Sequence, residues 1–312
     1  MFIEKANGEI YLQCRIPGIV VTEDGTLFAY YECRRTKWDW AEIDIKIIKS
    51  TDEGETWETV TVIEGKGHTL NNPVMFVTEN ELHFLFFRDY KEMFHCVSTD
   101  GGKTFSEPQP KSLECDFFYS VAAVGPGHGI VHNGKMVVPI WFGQNSEDPK
   151  AHRPSILSTL YSTDGEEWHI GDIIGEDILV NPSECALAVT ADNKVLISIR
   201  NENECHQRAL ALSEDGTGNW ENLHFDPQLP DPICMGSMCH ANGKIYHINC
   251  NSSTERVDLT VKISDDCFKT CESIYIDTPA GYSDVAVKGN KLYAFYERDC
   301  VDGGLYFKKI TL

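Results

Sequence analysis

The pattern Ser-x-Asp-x-Gly-x-Thr-aromatic occurs at Ser50 to Trp57, "STDEGETW", and again at Ser98 to Phe105, "STDGGKTF". Three weaker copies follow. Ser213 to Trp220, "SEDGTGNW", keeps Ser, Asp and Trp at the same offsets and displaces the glycine. Ser162 to Trp168, "STDGEEW", is one residue short, and Ser264 to Cys271, "SDDCFKTC", keeps only Ser, Asp and Thr. The aspartates stand at 52, 100, 164, 215 and 266, a spacing of roughly fifty residues, the span of a four-stranded propeller blade.

Each copy has a mechanical reading. Ser and Asp side chains bond backbone amides and close a turn, glycine supplies a positive φ, and the aromatic packs underneath. Strand-like runs flank the copies, "IDIKIIK" before the first and "ETVTVI" after it. The copies are therefore expected to be hairpin turns, and their acidic residues structural. Short alternating runs such as "GTLFAYYE", "ELHFLFF", "KVLISIR" and "KLYAFYE" recur elsewhere, each introduced by a turn dipeptide. The chain shows no convincing long amphipathic helix. Over 312 residues the repeat predicts an all-β fold, a six-bladed β-propeller. No Pro/Ser-rich linker divides it, so residues 1–312 are expected to form a single domain. The last strand, "GLYFKKI", is expected to pair with an N-terminal segment, because an open ring would leave an exposed edge.

Composition excludes several classes. The apolar share of 42% and charged share of 24% fit a soluble globular protein. No apolar run approaches the ~18–20 residues that span a bilayer, so no membrane insertion is expected. A net charge of −21 argues against nucleic acid or an anionic membrane surface as partner. The twelve cysteines include no Cys-x-x-Cys pair and are expected to be reduced thiols. The N-terminus, "MFIEKANGEIYLQCRIPG", lacks the marks of a secretory signal. The expected location is cytoplasmic, or secreted if a leader was removed.

The repeat resembles the Asp-box (the BNR repeat) of sialidases, or neuraminidases, and motifs along the chain resemble that family in the same order. "CRIPGIV" is similar to its Arg-Ile-Pro motif and puts the first arginine of a triad at Arg15. "YECRRTKWDW" resembles the segment carrying a supporting Glu32, a substrate-facing Arg34 and an acid/base Asp39; Glu42 and Asp44 lie close by, and the five-residue offset from Arg34 selects Asp39. "VGPGHGI" resembles a glycine-rich stretch in which His128 is expected to be a structural turn residue. "NPSECALAV" puts the partner of the nucleophile at Glu184. "ISIRN" and "TERVDLTV" supply the other triad arginines, Arg200 and Arg256. "AGYSDVAV" matches the nucleophile motif with Tyr282, and "FYERD" the glutamate that buttresses the first arginine, Glu297.

The resemblance implies an exo-α-sialidase, a retaining glycoside hydrolase, acting on terminal α-linked sialic acid or a related nonulosonic acid. Its partners would be sialylated oligosaccharide, glycoprotein or glycolipid termini, with no cofactor and no metal. Three arginines suit a bidentate grip on a sugar carboxylate. That carboxylate sits on the anomeric carbon, so an anionic nucleophile would be repelled where a neutral phenol is not. Tyr282 then needs Glu184 as base, and Asp39 protonates the leaving oxygen. Two other outcomes stay open on the same scaffold, a trans-sialidase or intramolecular trans-sialidase and a non-catalytic glycan-binding propeller. Some features point to the sugar's 5-substituent: Asn71 and Asn72 give a polar region, Trp38 and Trp40 add aromatic bulk near Asp39, and Met235 stands where the family often has glutamine. A sugar lacking the N-acetyl group is one candidate. Arg35 is expected to be a solvated neighbour of Arg34.

Overall fold

The computed structural model describes residues 1–4, 10–298 and 303–312. Among them there is no α-helix, and six antiparallel sheets follow one another around a ring. They are a six-bladed β-propeller. In chain order the blades take their strands from residues 13–63, 70–111, 121–170, 185–230, 237–277 and 283–311. The second blade gains a short parallel strand, Gly127–His128, on the inner side of Leu70–Val77.

The burial gradient across a blade explains the sequence pattern. The second strand of the first blade, Leu27–Arg34, is buried along its whole length, because neighbouring blades cover both of its faces. The outermost strand, Glu58–Ile63, is largely exposed or half-buried and alternates polar with apolar residues. Six hydrophobic clusters fill the molecule, each drawn chiefly from two adjacent blades, so every interface of the ring has its own core.

All five repeated turns join the third strand of a blade to the fourth. In the first, Asp52 accepts bonds from Ser50 Oγ at 2.7 Å, Thr56 N at 2.9 Å and Thr56 Oγ1 at 2.6 Å. Trp57 Nε1 donates to the Gly54 carbonyl at 3.1 Å. The glycine answers to more than its φ of 87°: a Cβ on Gly54 would stand 2.2 Å from the Phe307 ring of the preceding blade. Gly102 meets Phe28 in the same way, also at 2.2 Å. Each turn is thus both a hairpin and a blade-to-blade contact. In the fifth copy Phe268 occupies the glycine's place. It holds a φ of 67°, donates its N–H to Ser264 Oγ at 2.9 Å, and buries its ring among Ala186, Leu210 and Met238. The left-handed region costs a bulky residue roughly 1–2 kcal/mol, which this burial offsets.

The sixth blade has no such turn because its outer strand, Phe2–Glu4, comes from the other end of the chain. Phe2 pairs with Tyr306 and meets its ring edge-on, with centroids 5.0 Å apart. Tyr31 donates to Glu4 at 2.7 Å and Lys46 pairs with Glu4 at 2.8 Å, tying the strand to the first blade. The expected closure of the ring is met. At the hub, the fully buried Asp284 accepts from Ile19 N at 2.8 Å, His128 Nδ1 at 2.8 Å and Ser237 Oγ, linking inner strands of separate blades.

Deleting Met1–Glu4 is expected to lower the melting temperature by roughly 3–5 °C and to promote association through the uncovered edge of Leu305–Thr311. Calorimetry and light scattering check both, and an unchanged melting curve would deny the strand its closing role.

Candidate active site

Antiparallel strands bring two kinds of segment to one face of the ring. One kind is the entry to a blade's innermost strand; the other is the connection from its second strand to its third. The five Ser/Asp turns lie at the opposite face. Arg15, Glu184 and Tyr282 stand at innermost-strand starts, whereas Arg34 and Glu297 end second strands. Asp39, Arg200 and Arg256 follow second strands.

Together they enclose a cavity of about 260 Å³. Tyr282, Glu184, Asp39, Arg15, Arg34, Arg200 and Arg256 all line it, and Glu32 and Glu297 lie directly behind. Glu42 and Asp44 do not line it; both pair at 3.2 Å with Arg35, which is exposed as expected.

Local backbone devices aim several of these groups. The strand Gln13–Val21 carries a register shift between Arg15 and Gly18, with Ile16 at a φ of 59° before Pro17. A bulge of this kind bends the strand and redirects a side chain. A second register shift, between Asn71 and Val74, puts Asn72 at a φ of 51° before Pro73; Asn181, ahead of its strand, likewise holds a φ of 44° before Pro182, and Ile16, Asn72 and Asn181 all line the cavity.

Arg15, Arg34 and Arg200 each meet a carboxylate. Arg15 grips Glu297 through Nε at 2.7 Å and Nη2 at 3.1 Å. Arg34 donates to Glu32 at 2.8 Å and to Asp39 at 2.6 Å, while the other Glu32 oxygen accepts the Asn72 N–H at 2.9 Å. Arg200 Nη1 donates to Tyr282 Oη at 2.8 Å and meets Glu184 Oε2. The guanidinium carbons of Arg15 and Arg256 lie 5.0 and 5.5 Å from the centre of the Tyr282 ring.

Tyr282 Oη donates to Glu184 Oε1 at 2.5 Å. Burial pushes the phenol up; Arg200, Arg256 and Arg15 oppose, Glu184 adds to the rise, and the net position stays above the ordinary tyrosine value. The phenol is therefore neutral in the empty cavity. Burial also pushes Glu184 up, but the Arg200 charge, the Tyr282 bond and Arg256 outweigh it and hold the carboxyl below its usual range. Asp39, with 48% of its side chain exposed, balances burial against Arg34 and likewise ends below its ordinary value. A neutral phenol thus faces an ionised base, with a second carboxyl separately placed by Arg34.

Other wall residues went unread in the sequence. Tyr90, His152, Arg153 and Glu202 come from second-to-third-strand connections, which carry no periodicity. Arg153 Nε donates to Glu202 at 2.5 Å and Asn181 Nδ2 to its other oxygen at 2.8 Å. The Asn-Pro dipeptides at blade entries were the available signal for Asn72 and Asn181. Among the described residues, Arg200 Nε, Trp141 Nε1 and His152 Nε2 are buried in this wall with no hydrogen-bond partner. Met235 and Asn71 do not reach the cavity: Met235 is buried in the core between the fifth and sixth blades, and Asn71 is buried with its Oδ1 on the Tyr90 N–H. His128, bonded to Asp284, is structural as expected. Among the described residues no group of three or more His, Cys, Asp and Glu side chains could hold a metal ion, and no helix is long and apolar enough to cross a membrane.

Comparison with known proteins bears on this geometry. The chain is 27% identical over 301 residues to a sialidase of Bacteroides fragilis, a match covering 81% of this chain and 53% of that protein. It is 28% identical over 303 residues to an exo-alpha-sialidase of Arthroderma benhamiae, covering 84% and 69%. The chain thus spans about half the length of the first relative. Among solved structures, a Hadza microbial sialidase superposes with a TM-score of 0.82 at 23% identity, over 98% of this chain and 67% of that one. The leech intramolecular trans-sialidase gives 0.78 at 15%, over 100% and 70%. At these identities the superpositions establish the fold alone. Residues 58–293 match the BNR repeat-like domain. By that match, which takes in well over half of its length, the chain belongs to the BNR repeat-like domain family, and the relatives it resembles are sialidases.

Proposed function

We propose that the chain is a retaining exo-glycosidase that hydrolyses terminal α-linked sialic acid or a related nonulosonic acid, with residues 1–312 acting as a single catalytic domain. The observation that carries this reading is the Glu184 carboxylate held between the Tyr282 hydroxyl and Arg200. It is the arrangement a weak neutral nucleophile requires: a base in contact, and a cation that keeps the base ionised.

Arg15, Arg200 and Arg256 receive the substrate's carboxylate and so fix the adjoining anomeric carbon against Tyr282. The phenolic oxygen attacks that carbon while its proton passes to Glu184. The glycosidic C–O bond breaks, and its oxygen takes a proton from Asp39. In the second half-reaction Asp39 removes a proton from water, the water oxygen attacks the anomeric carbon, and the bond to Tyr282 breaks. The phenolic oxygen then regains its proton from Glu184. Two displacements at one carbon retain its configuration. The volume of about 260 Å³ falls below the roughly 300–1,000 Å³ of drug-sized ligand pockets, which favours one terminal sugar over an internal stretch of glycan. Substrates would accordingly be sialylated oligosaccharide, glycoprotein or glycolipid ends.

A fluorogenic α-sialoside tests the reading. The wild-type chain should release the fluorophore, and the first sugar formed should be the α-anomer by NMR. Glu184→Gln should lower kcat by roughly 10²–10⁴-fold, and Tyr282→Phe at least as far, with binding of the sugar retained. Binding by the wild type without turnover would make the chain a glycan-binding propeller instead.

The pH profile follows from the two carboxyls. Asp39 must carry a proton to act as acid, and its lowered value means that the loaded fraction grows as pH falls. Glu184 must be ionised, and its lowered value preserves that form into acid. For a substrate with a sugar leaving group, kcat/KM should therefore rise from neutral pH down to about pH 4 and fall only in stronger acid. Asp39→Asn should flatten that rise; an alkaline optimum would contradict the assigned roles.

A further inference from the structure

Lys150 reaches from one side of the mouth to another. It lies in the 144–154 connection of the third blade, which is folded on itself. There Asn145 Oδ1 accepts the N–H groups of Glu147 and Asp148 at 3.0 and 2.9 Å, Asn145 Nδ2 donates to the Arg153 carbonyl at 3.1 Å, and Lys150 N donates to Asp148 at 2.9 Å. From this base the Lys150 ammonium stands 4.7 Å from the ring centre of Trp38 and 5.2 Å from that of Trp40. Those two tryptophans flank Asp39 in the 35–42 connection of the first blade. Trp40 in turn packs on Tyr90, from the second blade, at 4.9 Å.

The 35–42 connection is anchored at its ends, where Arg35 pairs with Glu42 and Asp44 at 3.2 Å and the Ala41 carbonyl accepts Thr69 Oγ1 at 2.5 Å, and is least held at its middle, around Trp38 and Asp39. Trp38 is 56% exposed, and Asp39 is tied at its carboxyl to Arg34. Inside the connection Ala41 N donates to the Trp38 carbonyl at 3.0 Å, and Trp38 N to Thr36 Oγ1 at 3.3 Å. One ion pair fixes the carboxyl's distance from Arg34 but leaves the segment's tilt over the cavity to its flanking side chains. An ammonium over an indole face at an exposed site biases a conformation by roughly two- to five-fold, and here one cation serves two faces.

We propose that Lys150 is a positioning residue for Asp39: by clasping Trp38 and Trp40 it holds the acid where a leaving oxygen will need its proton. This rests on the glycosidase reading above, and it makes a demand that a merely structural lysine does not. When the leaving group is a sugar alcohol, the C–O bond breaks only as the Asp39 proton moves onto that oxygen. An aryl oxide leaves without the proton. Loosening the acid should therefore harm one substrate and spare the other.

The experiment compares sialyllactose with a methylumbelliferyl α-sialoside. Lys150→Ala is expected to lower kcat/KM for sialyllactose roughly five- to ten-fold and to change it less than about two-fold for the aryl substrate. Lys150→Arg, which keeps a cation over the indoles, should restore the sugar substrate to near the wild-type value. The quantity kcat/KM isolates the first displacement, so the shared hydrolysis of the tyrosyl intermediate does not enter. Equal losses on both substrates, no loss on either, or failure of arginine to rescue would overturn the role of Lys150 while leaving the glycosidase reading intact. Wild-type protein that turns over neither substrate would overturn that reading itself, and this proposal with it.

Discussion

A single carboxylate joins two blades that have a third between them. Glu184, at the entry to the fourth blade, accepts the hydroxyl proton of Tyr282 from the sixth and meets Arg200. The two partners of the first bond lie 98 residues apart in the chain, so a contact of 2.5 Å exists only if the ring closes in register. Closure in turn depends on the interfaces between blades, since each has its own hydrophobic cluster. A slip at one interface would displace the phenol from that carboxylate, and for the reaction proposed above a misplacement of about 1 Å can cost a hundredfold in rate. The short outer strand Phe2–Glu4 therefore bears on the site although it lies at the rim.

The division of labour between the two faces follows from antiparallel strands. Connections from third to fourth strand carry the Ser/Asp turns and lock blades together. Connections from second to third strand supply Asp39, Tyr90, His152, Glu202 and Arg256 to the cavity, drawing on five different blades. Change at the mouth leaves the locking turns untouched, and the turns can hold their hydrogen bonds whatever the mouth does. Phe268 shows how far this holds: the fifth turn gives up its glycine and keeps its Ser264, Asp266 and Thr270 bonds, because what the position needs is a filled interface.

That division also governs what could be read from the sequence. The turns were legible because a Ser or Asp side chain meets backbone two to four residues away, so the chemistry is written locally. Arg15, Arg200, Arg256, Tyr282 and Glu184, which the structure brings to one cavity, were legible through motifs, each a short string at or beside a strand end. Residues in the connecting segments were not. His152 and Arg153 sit in a stretch whose shape comes from Asn145 bonding its own neighbourhood, a pattern with no period. Met235 was misjudged for a related reason: its place beside a blade entry resembled a wall position, but the chain turns it into the core shared with Tyr282 and Val285. Strand alternation fixes a residue's face, and a bulge or turn at the strand's start resets it.

Charge poses the last physical question, since a chain with a net charge of −21 is here given an anionic ligand. Five arginines and three carboxylates line the cavity, with Glu32 and Glu297 behind them. The empty shell is thus close to electrically balanced, which is how several guanidinium groups coexist in so small a space. An arriving carboxylate does not find bare cations; it finds arginines already oriented by their own partners, with donors left over. Arg200 Nε is buried without one, and a guanidinium has five N–H groups to share. Charges elsewhere on the surface act weakly at this site, because solvent screens them beyond about 8 Å at physiological salt. The acidic exterior therefore slows approach without deciding what the cavity holds, and the paired arginines avoid the reorganisation that unpaired ones would undergo at the moment of binding.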